Sequence, residues 1–449
     1  MSAQDPQFAA NYTDRYGEYM NPLPEVNSFR SFAKFVAGAD RSGNQFIFPV
    51  QTAISHGQTA DKSGTAYALN PARSAGQLFA KLDAYDITMR EVIPYPAMMQ
   101  ARNGVSLQGD AAAYWDPIDL AMMTTMRGAE HYAEIGCMFG PGGGSTILAD
   151  IGVVDAVVSG TNWNAASVVR ITRPSWMVGM WNNAANGGNS SGGMLVDVVN
   201  SVGTTVLARS VPVVSTADSS KCQVSFGAGL DAVAIAPGQR LVPAGWAGGG
   251  LGAVAGKACV GVQGILENNG TFANINAGNV GVWRARQIAF SGGTPLTRAR
   301  ILSVGGRLFP NGLKKGATLV VNANTFVDLA EEPNTLTRWD STQGAIETKV
   351  QGTANLQYIT SAGIVNVMVH EYMKQGFAFF LENDGTIRIG AGDITYRGAN
   401  GNEDFFLEMP NNAGSEIRNQ QQQAPLLLNP YRNAILSGFV NNNDDVPAN

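Results

Sequence analysis

Histidine and cysteine are scarce in this chain, with three of each among 449 residues. His56, His131 and His370 stand far apart and outside any Cys/His cluster, which removes the usual basis for a histidine-ligated metal centre. The nearest approach is "VMVHEYMKQGFAFFLENDGTIRIG" at 367–390, where His370, Glu371 and Lys374 imitate a zinc-protease signature. Lys374 stands where the second ligand belongs, and a charged ammonium cannot bind zinc. The flanking apolar runs also read as strands instead of the required helix. Cys137, Cys222 and Cys259 show no paired spacing, so no disulfide framework is expected and the thiols read as buried apolar groups in a reducing compartment. Long apolar runs are missing too. Gly, Pro or charge interrupts each one short of membrane-spanning length, and the polar, acidic opening "MSAQDPQFAANYTDRYGEYM" does not read as a signal peptide. Charge itself is sparse at 14%, with a net of −5 that argues against a dedicated nucleic-acid binder.

Acidic residues are absent from one long stretch. Residues 281–320 contain Arg284, Arg286, Arg298, Arg300, Arg307, Lys314 and Lys315 and no Asp or Glu. Such a strip is read either as a solvated helix face or as a contact surface for phosphate or for an acidic surface of another subunit.

What the chain has in abundance is glycine, 53 residues, with an apolar content of 45%. Together they point to a large core, many turns and β-structure. Residues 1–43 are polar and weakly periodic and read as an extended arm. "QFIFPVQTAIS" and "QLFAKLDAYDITMREV" approach period-two alternation around a Gly/Ser/Asp-rich tip, which predicts a protruding hairpin with Pro49 on an edge strand. Asp116, Pro117 and Asp119 form a helix start, and the helix is expected to run to Ile135 and stop at Gly136. Its inferred buried stripe is Ile118, Met122, Met126, Ala129 and Ala133. Residues 153–258 read as almost wholly β. A second helix from Thr294 and Pro295 to Leu308, a strand running into a short helix at "ATLVVNANTFVDLAEE", and strands from Glu347 to Arg397 follow, then a short strand after a glutamine run.

The catalytic near-matches fail their structural requirements. "GNSSG" around Ser190 lies in a turn-rich tract and leads into a strand, not a helix. "GAGLDA" at 227–232 is followed by Pro237 and Gly238, which prevent the helix that a dinucleotide fold needs. "GPGGGST" lacks the lysine of a phosphate loop.

The order of elements carries a stronger signal. An arm, a long hairpin, one long helix and a β-rich insertion come first. They are followed by "GILENNGTFANI", "VWRARQ", "PLTRARIL", "LVVNANTFVDLAEE" and "GIVNVMVHEYMKQGFAFFLEND". This arrangement resembles the major capsid proteins of tailed double-stranded-DNA phages, the Hong Kong 97-type fold, over nearly the whole chain. The resemblance implies an α+β fold with an N-terminal arm at 1–43, an E-loop at 44–104, and a peripheral domain with its spine helix at 105–152. It places a β-rich insertion domain at 153–258, an axial domain at 259–380, and the C-terminal part of the peripheral domain at 381–449. It further implies a non-enzymatic structural protein without cofactors, self-assembling into pentamers and hexamers of an icosahedral head that is built in the host cytoplasm and encloses double-stranded DNA. Scaffolding, portal and decoration proteins are the implied partners, and no membrane. On this reading His370 and Glu371 are ordinary polar residues at a strand end. Lys62, at the hairpin tip, occupies the region from which some family members crosslink to a neighbour's asparagine, although a single surface lysine more simply aids solubility. An encapsulin, a shell of the same fold around an enzyme cargo, is the alternative, and the length and insertion favour the phage protein. A β-rich adhesin or tail component and an enzyme with an unrecognised site remain open.

Overall fold

The computed structural model describes residues 28–37, 41–42, 45–60, 62, 64, 68–72, 74–95, 117–184, 193–248, 250–268, 270–291, 293–332, 356–396, 406–409 and 413–442. The expectations for residues 1–27, for the Asp116 cap and for Ser190 lie outside them.

One long helix, Pro117–Phe139, lies on a sheet built from Tyr85–Pro94, Gly414–Leu427, Thr386–Tyr396, Lys34–Ala37 and Phe406–Glu408. The helix runs through Gly136, one turn past the expected stop. Its last turn, Cys137, Met138 and Phe139, is fully buried, and that burial outweighs the helix cost of glycine. Gly140 ends it instead. A Cβ there would fall 2.3 Å from the Cys259 carbonyl oxygen, because the chain returns tightly past this point at Gly261. The buried stripe is also turned by about one residue from the expected one. Ala121, Thr125, Ala129 and Ala133 face the sheet, while Met122 and Met126 flank it half-buried. Side chains this small let the helix sit close on the strands.

The glutamine run is a second departure. Gln420–Gln423 lie inside the 14-residue strand Gly414–Leu427, and Gln421 and Gln423 point into the helix–sheet interface. Gln421 Nε2 donates to the Ala129 carbonyl at 3.2 Å, and Gln423 accepts from the buried Arg388. Alternation along a strand lets every second glutamine be buried, provided each polar end finds a partner.

A three-stranded sheet holds the hairpin. Gln45–Gln51 pairs in full register with Gln77–Asp83, and only its first two residues also meet Arg41–Ser42. Opposite Pro49 the strand has no second neighbour among the described residues, as a proline requires. The expected single strand from Gln77 to Val92 is two strands, broken at the buried Ala84; the second, Tyr85–Pro94, belongs to the helix-backed sheet.

Six strands drawn from 152–243 close into a barrel. Strands Gln223–Phe226, Ser167–Ile171, Gly152–Ser159, Arg240–Pro243, Leu195–Val199 and Thr205–Asp218 pair in that order, all antiparallel, and the last pairs back to the first. Closure leaves no open edge within this ring. Aromatic side chains pack among its apolar groups: Trp163 and Trp181 set their rings edge-on to Phe226, with centroids 5.4 and 6.2 Å away.

A six-stranded sheet completes the fold. Its order is Arg286–Ala289, Ala434–Ser437, Phe377–Glu382, Ala317–Val321, Gly363–Val369 and Gln357–Thr360. The central strand Ala317–Val321 is buried throughout. Helix Arg298–Leu308 begins after Thr297, whose hydroxyl caps it, three residues later than expected; helix Ala323–Glu331 starts at Asn322, whose side chain caps Thr325 N at 2.8 Å. The strands at 363–369 and 377–382 do not pair with each other but flank Ala317–Val321 on opposite sides. Strand Ala434–Ser437, from the far end of the sequence, sits inside this sheet.

Candidate functional site: a cationic cleft and a buried polar junction

The basic strip of 281–320 does not act as one surface. Arg300 curls back to donate to the Thr294 and Pro295 carbonyls and lies over the Phe290 ring at 4.6 Å. The Arg298 backbone N–H donates to Glu332 at 2.7 Å, at the start of its helix. Lys315 pairs with Asp384 at 3.0 Å with both groups mostly in water, a contact of small energetic value. Lys314 is exposed.

The other three converge. Arg284 follows the short 3-10 turn Gly281–Trp283, Arg286 opens the edge strand Arg286–Ala289, and Arg307 lies in the last turn of helix Arg298–Leu308, where a cation suits the helix dipole. With Asn268, Asn311 and Tyr431 they line a cleft of about 460 Å³. All three arginines are exposed, and none of their guanidinium groups makes a hydrogen bond or ion pair with a described residue. Two of the polar groups around them are committed elsewhere: Asn268 is hydrogen-bonded to Ala285 N and O, and Asn311 donates to the Tyr431 carbonyl. The cleft therefore presents three guanidinium forks, each suited to a carboxylate or phosphate.

Sequence reasoning missed a second constellation. His370, read with Glu371 as an ordinary strand-end residue, and Lys374, read only as a failed zinc-ligand position, are buried at 0% and 1% exposure. The turn between Val369 and Phe377 folds under the long helix, so its polar side chains must find partners. Tyr372 N donates to His370 Nδ1 at 3.0 Å, which leaves the proton on Nε2 to reach Glu134 Oε2 at 3.3 Å. The other oxygen of Glu134 accepts from the Arg30 backbone N–H at 3.1 Å. Lys374 Nζ donates to Asp150 at 3.0 Å and to Gln263 at 2.9 Å, and Arg240 closes on the second Asp150 oxygen at 3.2 Å. Tyr372 Oη and His131 Nδ1 lie 2.6 Å apart, and burial pushes the His131 pKa down to about 4. These contacts join the long helix, the helix Ser28–Phe32, the barrel entrance and the six-stranded sheet at one point. The available signal was the setting of "HEYMK" between two strongly apolar runs, which favours burial of what separates them.

Glu371 is exposed and accepts from Ser28. All three cysteines are buried and free, and burial raises the Cys137 thiol well up and the Cys259 thiol to about 12, so neither is a nucleophile at neutral pH. Lys62 is exposed at the hairpin tip. Among the described helices none is long and apolar enough to cross a membrane.

No protein-family model and no curated protein matches this sequence. Solved structures do. The chain is similar to the capsid asymmetric unit of cyanophage A-1(L), with 12% identity over 95% of this chain and 97% of that one and a TM-score of 0.51. The capsid of cyanophage P-SCSP1u matches at 8% identity over 96% and 93%, TM-score 0.44. The holo-SrpI encapsulin complex of Synechococcus elongatus matches at 8% over 98% and 97%, TM-score 0.38.

Proposed function

We propose that this chain, which has the fold of a tailed-phage major capsid protein, is the subunit of a closed icosahedral shell enclosing double-stranded DNA. The observation that carries this reading is the likeness to the capsid asymmetric unit of cyanophage A-1(L), which covers 95% of this chain and 97% of that one. In this reading the hairpin is the E-loop, the long helix the spine of the peripheral domain, the six-stranded sheet the axial domain and the barrel the insertion domain. The role is structural and the location is the virion, with head assembly in the host cytoplasm beside scaffolding, portal and decoration proteins. Pentamers and hexamers are the assembly units.

The surface chemistry suits a subunit that spends its life in contact with copies of itself. Phe79 is 57% exposed, Leu69 77% and Ile54 64%, all on the hairpin and its tip. A two-stranded ribbon carrying such groups is marginal in water and gains its order against a neighbour. Ile359 and Ile364 face each other across an edge pair of the six-stranded sheet at 83% and 52% exposure, a second apolar patch.

Electron microscopy of the purified recombinant protein tests the proposal. Closed shells of uniform diameter are expected, and a monodisperse monomer at all concentrations and salts refutes it. Particles recovered from the native source are expected to contain double-stranded DNA; an enclosed enzyme would identify an encapsulin instead.

A further inference from the structure

The subunit carries two sets of opposite charges that its own fold leaves unmatched. One is the cleft of Arg284, Arg286 and Arg307. The other is a pair of carboxylates where the hairpin joins the helix-backed sheet. Asp83 ends strand Gln77–Asp83, Asp86 follows three residues on, and both are exposed. Every other acidic side chain that the structure describes has a hydrogen-bond or ion-pair partner, whereas Asp83 and Asp86 have none among the described residues. Asp86 also lines a groove of about 460 Å³ between the strands Tyr85–Pro94 and Thr386–Tyr396, edged by Thr88 and Gln420. No hydrogen bond or ion pair joins the two sets within the subunit.

We infer that the Arg284–Arg286–Arg307 cleft is the acceptor half of a contact between copies of this chain, and that it receives Asp83 and Asp86 of the next copy. The inference rests on the shell reading, since a closed ring requires two different patches on each subunit that fit each other around the rotation. Charge favours this occupant over a phosphate backbone. The strip 281–320 holds seven of the thirty cationic residues and no acid, so the remainder of the chain has 35 acids against 23 cations. Outside its own strip a second copy therefore carries an excess of acidic groups, with Asp83 and Asp86 unpaired among them, while a nucleic acid would approach a subunit that is net negative. The shape agrees: a concavity this small, with a tyrosine and amides at its rim, admits single side chains on a neighbouring surface. Arginine and tyrosine together are what protein interfaces concentrate.

Charge exchange tests it. Wild-type protein sets the reference, and its failure to form shells counts against the shell reading and not against the cleft. With wild-type shells in hand, the triple variant Arg284→Glu/Arg286→Glu/Arg307→Glu should lower shell yield at least tenfold while the subunit keeps its melting temperature and circular dichroism. Asp83→Lys/Asp86→Lys should lower it equally. Combining the five substitutions should bring the shells back, because the pairing is then restored with inverted sign. The glutamine versions of the three arginines give the same reading if reversal reduces soluble yield. Normal shells from the arginine triple overturn the proposal, and do so most clearly if those shells hold duplex DNA less well as salt rises, which would make phosphate the ligand. Lost assembly that the aspartate exchange does not rescue overturns the assigned partner.

Discussion

At the scale of single residues, the buried junction is where substitution should be most damaging. Asp150 is 4% exposed and holds both Lys374 and Arg240. Asp150→Ala leaves the Lys374 ammonium buried with only the neutral Gln263 oxygen, and removing one member of a buried pair costs about 3–5 kcal/mol. Urea denaturation should show a loss of that size. The paired change Asp150→Leu with Lys374→Met should recover much of it, because an apolar pair carries no desolvation cost. His131 makes a pH prediction. Its folded pKa of about 4 lies below the imidazole value of 6.5, so the unfolded chain takes up a proton that the folded chain refuses. The stability tied to this neutral ring is complete above pH 6.5 and is lost as the pH falls towards 4, on the order of 3 kcal/mol. Melting temperatures between those pH values should fall more steeply for wild type than for His131→Gln; equal slopes would show that the ring charges freely in the folded state.

At the scale of elements, the long helix is held by smallness. Ala121, Ala129 and Ala133 present little more than a methyl group to the strands Tyr85–Pro94 and Gly414–Leu427. Ala129→Leu forces three extra carbons into this contact and disturbs the Gln421 bond to the Ala129 carbonyl. Overpacking of this kind costs about 1–3 kcal/mol, to be read as a lower thermal midpoint. Met126→Leu, at the half-buried flank, should change it little. Had the methionines formed the true packing stripe, the order of the two effects would be reversed.

At the scale of the whole molecule, assembly and folding should separate. The described residues of the hairpin tip, among them 52–60, 68–72 and 74–76, are almost all exposed and have few bonds to the described body, while the strands beneath are anchored by Phe46, Leu82 and the bond from Lys81 N to the Ala273 carbonyl. Deleting 57–74 should therefore leave a folded subunit with near wild-type stability that forms no closed shells. Shells at wild-type yield from the deletion would remove the hairpin from assembly. The barrel predicts a contrasting result, since its strands close on themselves and its core is continuous with the junction at Asp150. Truncation inside it should reduce soluble expression before any effect on assembly can be seen.

Local chemistry, read from sequence alone, determined much of this. Alternation located the hairpin legs, punctuation by glycine marked the largely β tract of 153–258 but not the short helix Val178–Ala184 within it, and helix starts at Pro117 and near Thr297 followed from capping and dipole preferences. The arrangement of these elements was enough for the fold, because connectivity is itself a sequential property. What the tertiary structure alone decided is where non-local contacts overrule local preference. Gly136 stays helical because the turn beyond it is buried; glutamines 421 and 423 enter a core because the helix supplies a carbonyl and a guanidinium is at hand. His370 and Lys374 became a junction because their partners come from positions 134 and 150, more than two hundred residues away. The seven-residue basic strip resolved into one three-arginine cleft for the same reason: charge content is written along the chain, but which charges meet, and which are left without a partner, depends on how distant segments pack.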